Sequence, residues 1–154
     1  QNIRSLGVKL KLSPTKRIVK NKSIILIDDS LVRGTTCLKI VKMLYEAGAK
    51  EVHVRIACPE IKFPDFYGVD MPTRKELLAF QKTNEEMCQY IKAKSLKFLS
   101  LGGLYEGLNK GKRNNTYPQF SDHYFTGDYP IKPTDNLGEE KIKQLSLLSS
   151  KSSS

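Results

Sequence analysis

The sequence is poor in the features that mark membrane, secreted and zinc-ribbon proteins. It has three cysteines in 154 residues, an odd number, and no C-x-x-C pair, which argues against a disulfide framework and a zinc ribbon. No apolar run approaches the roughly 18 residues that a membrane span needs, and no signal-peptide pattern opens the chain. We therefore expect a reducing compartment and a cytoplasmic protein.

Acidic residues are missing from the first 22 positions, which contain seven lysines and arginines. The whole chain has a formal net charge of +10, which predicts anionic partners such as phosphorylated small molecules, nucleic acid or an acidic surface. The composition is that of a globular protein, and the length suits one domain. Because the sequence begins with Gln1 and not with methionine, we expect it to be part of a gene product or a processed chain.

A β–α–β pattern follows the basic stretch. The run Ile24–Ile27 is apolar and mostly β-branched, which is typical of a strand buried on both faces of a parallel sheet. Thr35 or Thr36 can cap a helix that ends before Gly48, and alternation over 51–57 predicts the next strand. The pattern predicts an α/β fold with parallel strands and flanking helices.

The remainder of the chain predicts short elements and long loops. Residues 58–72 contain three prolines and one glycine and should form a loop at the carboxyl edge of the sheet, where α/β proteins bind ligands. The later elements that we predict are a helix after the capping-box sequence Thr73–Glu76, a helix over about Thr83–Ala93, a strand at Leu96–Leu99, a turn at Gly102-Gly103 and a short helix at Leu104–Asn109. His53 is interpreted as a strand residue, and His123 has no assignment.

The stretch SIILIDDSLVRGTT, residues 23–36, places two carboxylates and a small polar loop between the first strand and its helix. Backbone N–H groups are unpaired at a helix N-terminus and the helix dipole is positive there, so a loop ending in Gly34, Thr35 and Thr36 predicts phosphate binding. Asp28 and Asp29 suit the hydroxyls of a ribose or a Mg²⁺ ion. The two features together predict a ribose 5-phosphate site.

Other interpretations of this stretch remain open. Receiver-type domains also carry paired acids after a strand, but they lack an immediate R-G-T-T loop, and neither G-x-x-x-x-G-K-[ST] nor G-x-G-x-x-G occurs here. A turn without any ligand is the structural alternative. A nucleic-acid-binding protein is a weaker one, because no predicted helix has a dense basic face interleaved with aromatic residues.

Residues 23–36 resemble the phosphoribosyl pyrophosphate (PRPP) motif of type I phosphoribosyltransferases. The segments DDSLVRGTT, VHVRIACPEIKFPDFYGVDMPTRKELLA and SLKFLSLGGLYEGL also resemble the carboxyl-terminal part of the glutamine PRPP amidotransferases, as do GVKLKLSP and FTGDYPI. The resemblance covers residues 1 to about 148. It implies the second half of a type I phosphoribosyltransferase fold, incomplete, with a basic flexible loop segment at 1–22, a partial phosphoribosyltransferase domain at 23–110 and an irregular carboxyl-terminal extension at 111–154.

The resemblance also implies an activity and a set of site residues. The family forms 5-phosphoribosylamine from PRPP and glutamine-derived ammonia in the first committed step of purine synthesis. It implies that Asp28 and Asp29 contact the ribose and Mg²⁺, and that Lys9 and Lys11 belong to a flexible catalytic loop. The 5-phosphate would be bound by Ser30, Val32, Arg33, Gly34, Thr35 and Thr36. Purine nucleotides, the inhibitors of the family, would bind near Tyr67, Gly68 and Asp70.

The sequence departs from the family in two ways. It lacks the glutaminase domain with its amino-terminal cysteine, and it lacks the earlier strands and the pyrophosphate loop. We therefore expect a chain that is inactive alone and homo-oligomeric when complete, either a piece of a split enzyme or a truncated, non-functional remnant, with neither nucleic acid nor membrane as a partner. Where some members hold an iron–sulfur cluster on cysteines, this chain has Asp65, Ser121 and Tyr124, so no cluster is expected. Cys37, Cys58 and Cys88 are interpreted as small buried hydrophobic residues.

Overall fold

The structure is a computed structural model and describes residues 14–68, 73–109 and 111–131. Its three strands are β1 (Ser23–Asp28), β2 (Glu51–Ile56) and β3 (Ser95–Phe98). A 3₁₀ turn occupies Arg74–Glu76, and the α-helices are α1 (Lys16–Val19), α2 (Thr35–Glu46), α3 (Leu78–Gln81), α4 (Asn84–Tyr90), α5 (Leu101–Gly107) and α6 (His123–Thr126). No helix in these ranges is long and apolar enough to cross a membrane.

The three strands form one parallel sheet in the order β1-β2-β3. The register places Ile25 beside His53 and His53 beside Ser95. Because all strands run in one direction, their carboxyl ends meet at one edge of the sheet, where the loops after β1 and β2 leave it. The sheet confirms the predicted α/β fold with parallel strands and flanking helices.

The hydrophobic core lies on one face of the sheet. Val52, Val54 and Ile56 alternate along β2 and are at most 3% exposed. They pack with the inner face of α2, where buried residues recur at helical spacing, and with residues of α4 and β3. The residues are Cys37, Val41 and Leu44 of α2, Met87 of α4, Ile91 directly after α4, and Leu96 of β3.

The opposite face of the sheet is uncovered in the described part of the chain. Ile25 is 65% exposed and Ile27 72% exposed, whereas Ile24 and Leu26 on the other face pack against the core. The prediction that this strand is buried on both faces is therefore wrong for these residues. A continuous apolar run shows that a strand tolerates burial on both sides, but it does not say which part of a protein covers it.

Two helix starts differ from the sequence predictions. The residue before α2 is Gly34, with a φ of 72°, and neither threonine caps the helix with its side chain. The Thr73–Glu76 sequence forms only the 3₁₀ turn, whereas Thr83 and Glu86 form a capping box at the start of α4. A capping residue precedes the first helical residue and usually has extended backbone geometry. Here Gly34 occupies that position in a left-handed conformation, so Thr35 and Thr36 already lie inside the helix.

Helix α5 begins earlier than the sequence predicts. The Ser100 hydroxyl accepts a hydrogen bond from the Gly103 backbone N–H at 3.0 Å. Gly102 and Gly103 therefore lie in the first turn of this helix and not in a free turn. The cap at Ser100 compensates for the low helix propensity of the two glycines.

The predicted loop segments at both ends of the chain are more ordered than expected where the structure describes them. Residues 14–22 include α1, and Val19 is 6% exposed, so this part of the basic segment packs on the domain and is not a mobile loop. Within 111–131 the chain forms α6 and buries Asp122 and His123. Residues 1–13 and 132–154, the rest of these two segments, lie outside the described residues.

A buried ion pair anchors residues 111–131. The Arg113 guanidinium contacts both oxygens of Asp122, at 2.6 and 3.0 Å, and also Asp128 at 2.7 Å. The Tyr105 hydroxyl donates to Asp122 at 2.8 Å and links the pair to α5. Burial opposes ionisation of Asp122, which is 3% exposed, but the hydrogen bonds from Arg113 and Tyr105 outweigh burial and lower its pKa.

The substitution Asp122→Asn should destabilise the fold by about 1.5–3 kcal/mol, because Arg113 and the buried Tyr105 hydroxyl both lose a charged hydrogen-bond acceptor while Arg113 keeps only the half-exposed Asp128 as a charged partner. Since the pKa of Asp122 is lower in the folded chain, the carboxylate stabilises the fold above about pH 4 and this contribution is lost as the pH falls further. Urea unfolding at several pH values measures both effects. Asp128→Asn, at the half-exposed partner of Arg113, is the control and should cost at most about 1 kcal/mol; equal losses in the two variants would contradict the assignment.

Candidate functional site

The loop between β1 and α2 encloses a cavity of about 310 Å³ at the carboxyl edge of the sheet. Its lining runs without interruption from Asp28 to Cys37. The cavity therefore brings together every residue that the sequence predicts for the ribose and the 5-phosphate. In α/β proteins this edge is where ligands bind.

The two adjacent carboxylates stand at the entrance of the loop with half of their oxygens unused. Asp28 Oδ1 accepts the Asp29 backbone N–H at 3.1 Å, and Asp29 Oδ1 accepts the Ser30 hydroxyl at 3.1 Å. Their Oδ2 atoms make no hydrogen bond within the described ranges. These oxygens can accept from ligand hydroxyls or coordinate a cation.

The described residues contain no group of three or more His, Cys, Asp or Glu side chains that could hold a metal ion without other ligands. The pair fits Mg²⁺ in another way. Mg²⁺ is commonly bound by one or two carboxylates, water and the phosphates of a substrate. Asp28 and Asp29 are suited to that arrangement and not to a dedicated metal cage.

Residues at the start of α2, Gly34 to Cys37, line the cavity. Gly34 precedes this helix of 12 residues, and its carbonyl accepts the Leu38 N–H at 2.9 Å as the first helical hydrogen bond. The N–H groups of the first turn have no helical partner, and no side chain of the described residues caps them. Thr35 and Thr36 add exposed hydroxyls beside them. This arrangement suits a phosphate.

The turn at Gly34 has no room for a side chain. A Cβ atom there would lie 2.7 Å from Leu78 Cδ2 and 3.0 Å from Tyr90 Cε1. The Leu78 backbone N–H donates to the Val32 carbonyl at 2.8 Å, so α3 holds the loop from behind. The anion-binding geometry therefore depends on a segment that is more than 40 residues away in the sequence.

Arg33 is oriented by Glu76 of the 3₁₀ turn. Its Nε donates to Glu76 Oε2 at 2.8 Å, and both side chains are about half exposed. The two Nη groups of Arg33 have no partner among the described side chains, so they are available to an anion at the cavity. The sequence did not predict this pair, because Glu76 was interpreted as part of a capping box; only the position of the turn beside the loop reveals it.

The thiols near the cavity are neutral at physiological pH. Burial, with a smaller effect from the Asp28 charge, raises the pKa of Cys37 to about 11. Burial and the Asp29 charge raise the pKa of Cys58 to about 11. Cys37 is a buried hydrophobic residue as predicted, whereas Cys58 and Cys88 are only half-buried. A protonated thiol is neither a nucleophile nor a metal ligand.

His123, which the sequence left without an assignment, joins two loops beyond the cavity. Its Nε2 lies 2.8 Å from Asp65 Oδ1, its Nδ1 lies 3.0 Å from the Ser121 hydroxyl, and the residue is 1% exposed. The Tyr124 ring packs on it with centroids 4.0 Å apart. Asp65, Ser121 and Tyr124, the positions at which no iron–sulfur cluster is expected, thus all contact His123. No local sequence signal indicates these contacts.

The remaining predicted residues lie apart from the cavity or outside the described ranges. Tyr67 exchanges hydrogen bonds with the Ile131 backbone, at 2.7 and 3.0 Å, and contacts His123 edge-on. Gly68, at a φ of 113°, ends the described part of this loop. Neither residue lines the cavity. Lys9, Lys11 and Asp70 lie outside the described residues.

Comparison with known proteins finds close relatives of one kind. The chain is 54% identical over 151 residues to an amidophosphoribosyltransferase of Rhizobium etli, covering 97% of the chain and 30% of that protein. It is 44% identical, with a TM-score of 0.75, to the solved glutamine PRPP amidotransferase of B. subtilis complexed with ADP and GMP, covering 88% of the chain and 30% of that structure. A structure described as the allosteric regulatory enzyme of purine biosynthesis is 42% identical with a TM-score of 0.67, over 80% of the chain and 26% of that structure.

The chain thus spans about 30% of the length of the Rhizobium etli relative. No protein-family model matches it.

The substitution Gly34→Ala should destabilise the chain by about 1–2 kcal/mol, because alanine is strained at this φ and its Cβ meets Leu78 and Tyr90. Thermal unfolding measures the loss. Gly102→Ala is the matched control, since a Cβ there meets nothing within 4 Å, and it should be neutral or stabilising by up to about 1 kcal/mol in a helix. Equal stability of the two variants would show that the turn is not constrained.

Proposed function

The chain belongs to the amidophosphoribosyltransferase family, and we propose that it supplies the part of such an enzyme that binds the ribose 5-phosphate end of PRPP. The complete enzyme would transfer glutamine-derived ammonia to PRPP and form 5-phosphoribosylamine for purine synthesis. The observation that carries the proposal is the cavity at Asp28–Cys37. It combines two carboxylates with unused oxygens and an uncapped helix N-terminus on one short loop.

Each part of the cavity has a role in this reaction. The first turn of α2 and the free Nη groups of Arg33 would bind the 5-phosphate, and Asp28 and Asp29 would accept hydrogen bonds from the ribose hydroxyls. Positive charge builds on the sugar as pyrophosphate leaves C1, and carboxylates near the ring stabilise it. Mg²⁺ on Asp28, Asp29 and the substrate would neutralise charge on the departing pyrophosphate.

We propose three further roles by analogy with the family. Lys9 and Lys11 would belong to a lid that excludes water from the intermediate. Purine nucleotides would bind near Tyr67, Gly68 and Asp70; the B. subtilis relative is described as a complex with ADP and GMP. The complete enzyme would be a cytoplasmic homo-oligomer without an iron–sulfur cluster, and neither nucleic acid nor a membrane would be its partner.

We propose that this chain acts only in combination with the rest of an amidophosphoribosyltransferase. We define the complementing segment as the part of the Rhizobium etli relative that this chain does not match. Calorimetry with Mg²⁺–PRPP should detect weak or no binding by the chain alone. It should detect binding, and assays should detect phosphoribosylamine, when the complementing segment is present. A remnant without function would give neither result.

In that combined enzyme, Asp28→Asn should lower the rate of phosphoribosylamine formation by at least about 100-fold. The substitution removes one of two carboxylates that contact the ribose and the cation, and groups of this kind contribute several kcal/mol in an active site. The matched control is Glu106→Gln, an exposed carboxylate on α5 away from the cavity, which should leave the rate unchanged. Full activity of Asp28→Asn would refute the role of the acid pair.

Arg33→Lys should weaken binding of ribose 5-phosphate about tenfold in the same enzyme, because an ammonium cannot bind both Glu76 and a phosphate with the fixed donors of a guanidinium. Glu76→Gln should weaken it about threefold by loosening Arg33. Affinity for ribose, which has no phosphate, should stay constant in both. Glu46→Gln, which removes an exposed ion pair with Lys42 on α2, is the control. An equal loss for ribose would indicate a general loss of structure.

A further inference from the structure

We propose that Arg74 is a positioning residue for the phosphate end of the cavity. By contacting the rings of Phe63 and Phe80, it fixes the 3₁₀ turn from which Glu76 orients Arg33. This role rests on the proposed function, in which Arg33 binds the 5-phosphate. Arg74 itself is not among the residues that line the cavity.

The Arg74 guanidinium lies over two aromatic rings. Its central carbon is 4.3 Å from the centroid of the Phe80 ring and 5.0 Å from that of the Phe63 ring. A guanidinium is attracted to the negative face of an aromatic ring at distances up to about 6 Å, and its plane stacks on the ring. Contact with two rings restricts the long side chain of Arg74 more than contact with one ring would. Arg74 is therefore held in place although it is an exposed residue.

The Phe63 ring is fixed by α6 and by the glycine that follows this helix. The Phe63 backbone N–H donates to the Tyr124 carbonyl at 3.1 Å, and the ring packs on the backbone of Gly127, where a Cβ would lie 2.8 Å from Phe63 Cε1. Phe80, the second ring, lies on α3, which contacts the cavity loop from behind. Arg74 therefore connects α6 to the helix behind the cavity loop.

The turn that contains Arg74 is short and also contains Glu76. It spans three residues, Arg74–Glu76, and the Glu76 N–H donates to the Thr73 carbonyl at 2.8 Å. The Glu76 carboxylate accepts the Thr73 hydroxyl at 3.3 Å with one oxygen and Arg33 Nε at 2.8 Å with the other. A turn of this length has few hydrogen bonds of its own, so an anchored side chain two residues before Glu76 restricts the position of the carboxylate.

Restriction of Glu76 matters because its ion pair with Arg33 is half-exposed. An exposed pair gains little from its charges and loses side-chain freedom when it forms. A carboxylate that is already held in place lowers that loss. The pair then uses Arg33 Nε and leaves both Nη groups available to an anion, as donors that need little rearrangement on binding.

A purely structural contribution of Arg74 would have a different consequence. It would change the stability of the chain without acting through Glu76. If Arg74 acts through Glu76, its loss has no further effect once Glu76 no longer orients Arg33. A double-mutant cycle between the two positions therefore separates the two roles.

The cycle is measured as affinity for ribose 5-phosphate in the combined enzyme, the full chain with the complementing segment. Arg74→Leu should weaken binding about threefold, the same factor as Glu76→Gln, and adding it to Glu76→Gln should weaken binding by no more than about 1.5-fold further. Affinity for ribose should stay constant. Arg17→Leu, which removes an exposed arginine of α1, is the matched control and should bind as the unaltered chain does.

Substitutions of Phe80 test the ring contact while Arg74 stays in place. Phe80→Leu keeps an apolar side chain but removes the aromatic face, so it should weaken binding of ribose 5-phosphate about twofold. Phe80→Tyr keeps the face, and because Phe80 is 43% exposed the added hydroxyl can reach water. This variant should bind as the unaltered chain does.

Arginine side-chain NMR on the full chain alone tests the same contacts without a ligand. The heteronuclear NOE of Nε reports motion on the picosecond to nanosecond timescale. In the unaltered chain, Arg33 and Arg74 should both be more restricted than the exposed Arg17. In Arg74→Leu the value for Arg33 should fall to that of Arg17, as it should in Glu76→Gln.

Four results would overturn the proposal. These are an Arg74 Nε as mobile as that of Arg17 in the unaltered chain, an Arg33 Nε that Arg74→Leu leaves unchanged, additive losses in the double variant, and equal affinities of Phe80→Leu and Phe80→Tyr. The first needs no substitution, so it decides the matter even if a variant misfolds. Absence of ribose 5-phosphate binding by the unaltered combined enzyme would refute the proposed function, and the NMR values would still decide whether Arg74 orients Arg33.

Discussion

The left-handed turn at Gly34 is the constraint on which the candidate site depends. It allows the chain to leave β1, turn within a few residues and start α2 with its N–H groups facing the cavity. A side chain at this turn would meet Leu78 and Tyr90, so any residue other than glycine would have to displace parts of α3 and α4. A phosphate site built from backbone N–H groups needs such a fixed loop, because its donors have no flexible side chain with which to adjust. The hydrogen bond from the Leu78 N–H to the Val32 carbonyl connects the loop to α3 in the same place.

The charge of the cavity differs from that of the chain as a whole. The chain as a whole is strongly basic, yet the cavity begins with two carboxylates and has Arg33 as its cation, itself paired with Glu76. A site that relied on net charge alone would place lysines there. This cavity suits a ligand that carries both hydroxyls and a phosphate, since the acids accept from the former and the helix start donates to the latter. The surplus of basic residues elsewhere would attract anionic ligands over longer distances.

Local signals were sufficient for the part of the fold made by consecutive residues. The β1–α2–β2 unit and the cavity follow from an apolar run, a polar loop and a helical period, all within about 35 residues, and the structure agrees. The failures share one physical cause. The contacts of Glu76 with Arg33 and of Asp65 with His123 join elements that are distant in the sequence. The exposure of Ile25 likewise depends on what packs on the sheet and not on the local pattern. Hydrophobic patterning gives the direction of a side chain, but the partner comes from topology.

The two sides of the domain differ in how completely their polar and apolar groups are satisfied. The loops at 111–131 bury Asp122 with Arg113, and His123 with Asp65, and no described buried side-chain polar atom is left without a hydrogen bond. The sheet face at Ile25 and Ile27 is instead left open. A chain that had simply lost selection on folding would be expected to accumulate unpaired buried charges, which cost several kcal/mol each. The described residues show no such unpaired buried charge, and the open face combines the two isoleucines with His53, Arg55 and Lys97 of the neighbouring strands.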